Sequence, residues 1–106
     1  MTTPYASAQH ARADIDALGG LVVLEFGTDW CGICRGAQPL IEQALGTQPG
    51  WRRMKVEDGP GRPLGRSFHI KLWPTLILLR DGVEVERLVR PDSSAVIADA
   101  LMRVGR

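Results

Sequence analysis

The feature that most constrains this chain is a pair of cysteines, Cys31 and Cys34, placed where the sequence changes pattern. Residues 21–26 before the pair are apolar on both faces apart from Glu25, as expected for a central strand covered by helices on each side. After the pair, apolar residues recur with the period of an α-helix. A C-x-x-C motif between a buried strand and a helix N-terminus is typical of a dithiol redox site.

The composition is that of an ordinary globular protein. The 106 residues are 44% hydrophobic and 24% charged, enough to bury one core without disulfide or metal staples. We therefore expect a single domain over residues 1–106. The formal net charge is +1, with acidic and basic residues interspersed. This balance gives no reason to expect nucleic acid or a membrane surface as a partner.

The N-terminus and the hydropathy bear on the compartment. Residues 1–8 have no basic start and no apolar core of signal length. No segment approaches the ~20 apolar residues of a membrane span. We therefore expect a cytoplasmic protein, in which thiols are kept reduced and a two-cysteine motif is more often catalytic than structural.

Hydrophobic periodicity predicts elements in the order helix, strand, helix, strand, helix, hairpin, helix. Thr3 and Pro4 suit the N-cap and the first position of the first helix. Pro39 lies inside the second helix, where it should kink the axis. The first two strands, residues 21–26 and 51–57, are expected to be parallel neighbours because crossovers are right-handed.

The C-terminal half predicts a short helix at residues 64–68, then a hairpin and a last helix. Residues 75–79 and 83–88 are β-type runs joined by Asp81-Gly82, a strong hairpin signal. Asp92 is expected to cap the last helix. The expected buried positions of that helix are Val96, Ile97, Ala100, Leu101 and Val104. The fold class is then α/β, a three-layer sandwich with a mixed sheet of about four strands between helices.

With this motif and element order, the chain resembles the thioredoxin family over roughly residues 21–104. The residues that match the family's active-site stretch are Phe26, Asp29, Trp30, Cys31, Gly32 and Cys34. Pro39 matches the proline that kinks the family's active-site helix, and Pro74 matches its cis-proline. Asp81-Gly82 matches its hairpin. The C-x-x-C motif alone is a weak signal, but these matches together are specific.

The resemblance implies a thiol–disulfide oxidoreductase that reduces or exchanges protein disulfides. Cys31 is expected to be the nucleophile, because the positive end of the helix dipole favours its thiolate. Cys34, one turn later and facing inward, is expected to resolve the mixed disulfide and leave a Cys31–Cys34 bridge. No cofactor is expected, since electrons would come from a separate reductase or thiol protein. The sequence leaves the oxidase and isomerase directions open.

Glu25 and Lys55 are the other candidate catalytic residues. A carboxylate in an apolar strand is costly to bury unless it is paired or protonated, which suits a general base for the Cys34 thiol. The family usually carries Asp at this position and pairs it with a lysine at the position of Lys55. The alternatives are a strand whose curvature brings Glu25 to solvent, and a solvated Lys55 on an edge strand.

Substrate is expected to bind beside the motif. The candidate contacts are Trp30, Gly32, Ile33, Trp73, Pro74 and Arg90. The resemblance implies that Pro74 follows a cis bond and that the backbone of Trp73 is thereby open to an extended polypeptide. Exposed aromatic side chains beside a reactive thiol suit the recognition of unfolded or extended chains.

Five departures from the family lie near this site or at the N-terminus. One is Trp73, which is bulkier than the aliphatic residue that normally precedes the family's cis-proline. Ile33 replaces the proline usual between the cysteines, which affects the redox potential. Gly27 and Thr28 stand where the family usually has a Trp-Ala pair, which predicts open space next to the site. Arg90 stands where the family has a glycine. Thioredoxins begin with a strand, but residues 2–6 have little β-propensity, so we expect this strand to be absent or minimal.

Two other classes of function are open at this point. One is a metal site in which Cys31 and Cys34 join His10 and His69, but zinc sites usually bring a second paired motif that this chain lacks. The other is a non-turnover binding or chaperone-like module that uses an altered groove. We expect no metal, and a monomer.

Overall fold

The computed structural model describes residues 3–106, which form a four-stranded sheet between two layers of helices. In chain order the elements are α1 (Arg12–Asp16), β1 (Leu21–Gly27), α2 (Gly32–Gly46), β2 (Trp51–Glu57), α3 (Pro63–Ser67), β3 (Thr75–Arg80), β4 (Val83–Val89) and α4 (Ser94–Gly105). This order, and the α/β sandwich itself, confirm the prediction. Within the described residues, no helix has the length and apolar character needed to cross a membrane.

The sheet has the order β2-β1-β3-β4, with β1 at its centre beside β2 and β3. β1 and β2 are parallel, as predicted, whereas β3 runs antiparallel to both of its neighbours. In the parallel pair, Val23 is the partner of Arg53 and Glu25 is the partner of Lys55. Since side chains alternate across a strand, these four residues project from one face of the sheet.

The two faces of the sheet carry separate cores. Val23 packs with α2 and α4, whereas Val22, Leu24 and Phe26 pack with α1 and α3. Burial of such side chains contributes about 1.5–3 kcal/mol each. Glu25 has the parity of Val23, so its carboxylate faces the layer of α2 and α4.

The active-site helix α2 follows the predicted pattern closely. Its buried residues are Cys34, Ala37, Gln38, Ile41 and Ala44. Leu40 and Leu45, which also belong to the predicted stripe, are only half-buried. Pro39 lies inside the helix, and the helix ends at Gly46, as expected. The buried face therefore presents Cys34 and Gln38 together to the sheet.

The N-terminal segment differs from the predicted helix. α1 begins at Arg12 rather than near Thr3 and Pro4, because the buried ring of Tyr5 holds the chain extended. Ala6 forms a single bridge to Val56, with hydrogen bonds of 3.0 Å on each side. The expectation of a minimal first strand is confirmed for the residues that the structure describes, and Thr2 lies outside them.

The hairpin is confirmed, and its turn requires glycine. Asp81 and Gly82 both have positive φ, of 50° and 80°, as a type I′ turn demands. A Cβ on Gly82 would lie 1.9 Å from the carbonyl oxygen of Asp16. The Asp81 carboxylate accepts a hydrogen bond of 2.8 Å from the N–H of Gly20, which ties the turn to the start of β1.

At the start of α4, two predictions are wrong: the cap residue and the burial of Val96. Ser93, not Asp92, is the N-cap, and its hydroxyl accepts a hydrogen bond of 3.1 Å from the N–H of Val96. Val96 is thus in the first turn on the solvent side, and it is exposed rather than buried. The other four predicted positions are buried, namely Ile97, Ala100, Leu101 and Val104.

Candidate active site

The two cysteines lie at the end of the central strand. β1 ends at Gly27, and Cys31 is the N-cap of α2. The Cys31 sulfur accepts a hydrogen bond of 3.2 Å from the N–H of Cys34, one of the donors that a helix leaves unpaired at its start. Both residues are thiols, with Cys31 half-buried and Cys34 fully buried. One sulfur is therefore accessible to substrate and the other lies behind it.

The surroundings of the two thiols favour opposite protonation states. Burial opposes ionisation of Cys31, but hydrogen bonds from the Cys34 thiol and from the N–H groups of Cys34 and Ile33, with the charge of Arg90, lower the pKa of Cys31 overall. Burial, followed by the hydrogen bond with Cys31, raises the pKa of Cys34 to about 11. Cys31 is thus the thiol that ionises first, and Cys34 keeps its proton at neutral pH.

Glu25 is fully buried beneath this pair, so curvature of the strand does not bring it to solvent. Its Oε1 lies 2.7 Å from Nη2 and 2.9 Å from Nε of Arg53. Its Oε2 accepts a hydrogen bond of 2.9 Å from the side-chain amide of Gln38. A buried carboxylate is tolerated when its lone pairs are satisfied in this way.

Lys55 is buried rather than solvated, and its direct partner is not Glu25. Its ammonium donates to Oε1 of Gln38 at 2.7 Å and to the carbonyl of Thr3. Burial, opposed by the charge of Glu25, lowers the pKa of Lys55. The expected ion pair is replaced by one with Arg53, because Gln38 stands between the lysine and the carboxylate.

Tyr5 is a site residue that the sequence reasoning missed. Its ring is buried, and its hydroxyl donates to Oε2 of Glu25. A Cβ on Gly27 would lie 2.7 Å from the Tyr5 hydroxyl and 2.8 Å from the Cys34 sulfur. The space that Gly27 leaves is therefore filled by Tyr5, which corrects the expectation of an open space next to the site.

Arg53 and Gln38 were also missed, since the sequence spacing places each on the face of a known site residue but does not say what it contacts. Gln38 lies four residues after Cys34, so the two share one face of α2. Its amide donates to the Cys34 carbonyl at 2.9 Å. Arg53 lies two residues before Lys55, so the two share one face of β2.

Five of the six candidate substrate contacts are exposed or half-buried, whereas Pro74 is buried. Trp30 is 72% exposed and packs edge-on against Trp73, with ring centroids 5.8 Å apart. Ile33, between the cysteines, is also exposed. The indole N–H of Trp73 donates to the carboxylate of Asp58 at 2.9 Å, which fixes the ring. The result is an exposed apolar rim beside the reactive sulfur.

The Trp73–Pro74 peptide bond is cis. The carbonyl of Trp73 accepts a hydrogen bond of 2.8 Å from the guanidinium of Arg90, and the carbonyl of Pro74 accepts one of 2.9 Å from the N–H of Arg90. Arg90 itself has a φ of 49°. The Trp73 carbonyl thus already accepts one hydrogen bond from Arg90 and keeps one lone pair for a second donor.

His10 and His69 do not join the cysteines. Over residues 3–106, no three or more His, Cys, Asp and Glu side chains are arranged to hold a metal ion. The Cys31 sulfur is bonded to a backbone amide, and the Cys34 sulfur lies near the phenol of Tyr5, which is itself bonded to Glu25.

Comparison with known proteins gives one family. The family model "Thioredoxin" matches residues 5–103. The thioredoxin of Chlamydia trachomatis is 39% identical over 71 residues, which are 66% of this chain and 69% of that protein. The structure of thioredoxin 2 from Pseudomonas aeruginosa in its reduced form superposes with a TM-score of 0.89 and 50% identity, covering 99% of this chain and 97% of that one.

A mutant thioredoxin from Halobacterium salinarum superposes with a TM-score of 0.78 and 25% identity, over 97% of this chain and 90% of that one. These similarities do not favour a binding module without turnover, since the chain keeps both cysteines in one helical turn. The sheet order, the dithiol at the N-terminus of α2 and the family match agree. This chain belongs to the thioredoxin family and is a thiol–disulfide oxidoreductase.

Proposed function

We propose that the protein reduces disulfide bonds of other proteins, with Cys31 as the attacking thiol and Cys34 as the resolving thiol. The observation that carries this assignment is the contrast between the two sulfurs. Cys31 is accessible and has a lowered pKa, whereas Cys34 is buried and has a pKa raised to about 11. The thiolate is the nucleophile in disulfide exchange, so the first attack belongs to Cys31.

The reaction consists of two exchanges. The Cys31 thiolate attacks one sulfur of the substrate disulfide, forms a mixed disulfide and releases the other substrate sulfur as a thiolate. Cys34 then loses its proton and attacks the Cys31 sulfur. The Cys31–Cys34 bond forms, the bond to substrate breaks, and the second substrate sulfur leaves with the electron pair. A separate reductase or thiol protein then supplies two electrons and restores Cys31 and Cys34 to thiols.

Glu25 is the proposed base of the second exchange. It is buried next to the cysteine pair, and it is linked to Arg53 by an ion pair and to Gln38 by a hydrogen bond. Lys55 acts on the same carboxylate through Gln38, to which both are hydrogen-bonded. These groups hold the carboxylate in place while the proton moves.

Substrate polypeptide is proposed to lie across the apolar rim. Trp30 and Ile33 offer exposed apolar surface, and the half-buried ring of Trp73 packs against Trp30, while the next residue, Pro74, is buried. Gly32, with no side chain, leaves the approach to the sulfur clear. Arg90 lies at the binding edge, because a substrate N–H that pairs with the Trp73 carbonyl shares this oxygen with its guanidinium.

The chain is proposed to act as a single-domain monomer in the cytoplasm. One sheet joins both cores across residues 3–106, which supports a single domain. The formal net charge of +1 gives no support to nucleic acid or a membrane surface as a partner. Sedimentation of the reduced protein at several concentrations tests the monomer.

Trapping tests the assignment of the two thiols. Cys34→Ser is expected to accumulate a mixed disulfide with a reducible protein substrate, because the second exchange is blocked. Cys31→Ser is expected to form none, although it keeps one thiol. Equal trapping by both variants, or trapping by Cys31→Ser alone, would overturn the assignment.

A further inference from the structure

Tyr5 lies far from the C-x-x-C motif in sequence, yet the fold brings it against the motif. Its N–H donates to the carboxylate of Asp29 at 3.0 Å, and the next residue, Ala6, is hydrogen-bonded to β2 on both sides. Its side chain is only 6% exposed. The segment is therefore anchored on both sides of the ring, which fixes where the hydroxyl points.

The hydroxyl of Tyr5 lies between the base and the resolving thiol. It donates to Oε2 of Glu25. The point that a Gly27 Cβ would occupy is 2.7 Å from this hydroxyl and 2.8 Å from the Cys34 sulfur. The phenol oxygen and the thiol sulfur therefore border the same small space. Since Gly27 contributes no side chain, nothing from that residue separates them.

The other donors to Glu25 do not serve as proton carriers. Oε1 is occupied by the guanidinium of Arg53, and Oε2 receives the amide of Gln38 besides the phenol. Guanidinium and amide groups do not exchange a proton with a thiol at neutral pH. A phenol can accept a proton at its oxygen while it donates its own proton to another group.

We propose that Tyr5 relays the proton of Cys34 to Glu25 during the second exchange, an inference that rests on the proposed resolving role of Cys34. The thiol proton passes to the phenol oxygen as the phenol proton passes to Oε2 of Glu25. Tyr5 is neutral before and after. The thiolate of Cys34 then attacks the Cys31 sulfur, and the substrate sulfur leaves with the bonding electron pair.

The protonation states of the three groups support this path. Burial, then the charge of Glu25, raises the pKa of Tyr5 strongly, so the phenol passes a proton on without remaining ionised. In the reduced dithiol, burial and then the hydrogen bond with Cys31 raise the pKa of Cys34 to about 11. Hydrogen bonding with Tyr5 works against this rise. The buried thiol therefore needs a base and a route to it.

Reaction with 5,5′-dithiobis(2-nitrobenzoate) separates the two exchanges, because each releases one coloured thiolate. Tyr5→Phe keeps the ring and removes only the hydroxyl. We expect the first release, which depends on Cys31, to keep its rate. The second release is expected to slow by about 100-fold or more at pH 7, the usual contribution of a positioned acid–base group. The deficit should shrink as the pH rises from 7 to 9, because hydroxide then removes more of the thiol proton directly.

A purely structural role of Tyr5 predicts a different result. Loss of packing would slow the second release by the same factor at every pH, and that result, or an unchanged second release, would overturn the relay. Thermal unfolding of Tyr5→Phe checks that the fold is kept. In the double variant Glu25→Gln with Tyr5→Phe, we expect the second release to be no slower than in the slower single variant. If the two single-variant slowing factors multiply instead, the two residues do not share one proton path. If the wild-type protein shows no second release, the resolving role of Cys34 fails instead.

Discussion

The guanidinium of Arg53 lies 2.7 Å from the carboxylate of Glu25, and this ion pair crosses from the edge strand to the centre of the sheet. The Glu25 side chain is fully buried, whereas the Arg53 side chain is 18% exposed. The pair thus compensates a charge that has no access to water. It also frees Lys55 to bind Gln38 rather than the carboxylate.

Removal of Arg53 is expected to destabilise the protein because it leaves a buried carboxylate without its cation. Loss of one partner from a buried pair costs about 3–5 kcal/mol, and the partial exposure of Arg53 places Arg53→Met at about 2–3 kcal/mol. Urea unfolding at pH 7 measures this. Arg52→Met is the matched control, since Arg52 is exposed on the same strand and should change the free energy of unfolding by less than about 0.5 kcal/mol. Equal losses in the two variants would contradict the assignment.

Gly27→Ala is expected to disturb Tyr5 and Cys34 together. The added Cβ would lie within 3 Å of both polar atoms, so the ring or the strand must shift. Overpacking of this kind costs about 1–3 kcal/mol. Gly36→Ala is the control, because Gly36 lies inside α2 and an added Cβ would have nothing within 4 Å. This substitution should raise the free energy of unfolding by about 0.5–1 kcal/mol. Two changes of the same sign would show that the space at Gly27 is not specifically occupied.

Arg90 is expected to set part of the reactivity of Cys31. Its positive charge favours the thiolate, so Arg90→Ala should raise the pKa of Cys31 and move the midpoint of its alkylation by iodoacetamide to higher pH. At pH 7 the alkylation rate should fall, because less thiolate is present. Arg66→Ala removes an equal charge from α3 and should leave the midpoint in place. An unmoved midpoint in Arg90→Ala would show that the hydrogen bonds from the Cys34 thiol and the two amides lower the pKa without help from Arg90.

The strands, the hairpin and the dithiol could be predicted because their signals are local. The turn at Asp81-Gly82 could be predicted because these two residues readily adopt positive φ. The strand at residues 51–57 could be predicted from the alternation of its own side chains. The first helix was misplaced because the Thr3-Pro4 signal is also local, whereas the burial of Tyr5 depends on β1 and α2.

The contacts inside the site could not be predicted for the same reason. Arg53 reaches Glu25 because of the register between β1 and β2, which pairs Arg53 with Val23 and leaves its side chain on the carboxylate's face. No pattern within β2 distinguishes Arg53 from Lys55 as the partner. Likewise, the sequence shows only that Gly27 is smaller than the residue usual in the family. The tertiary fold shows that the side chain of Tyr5 fills the space.

The reduction potential of the Cys31–Cys34 pair decides whether the protein is a disulfide reductase. The protein is equilibrated with dithiothreitol or glutathione buffers of known poise, and free thiols are then alkylated and counted. We predict a two-electron couple at about −270 mV, the range of thioredoxin, despite Ile33 between the cysteines. A value of about −120 to −180 mV would instead place the protein among oxidants and isomerases, and the absence of any bridge would contradict the dithiol mechanism altogether.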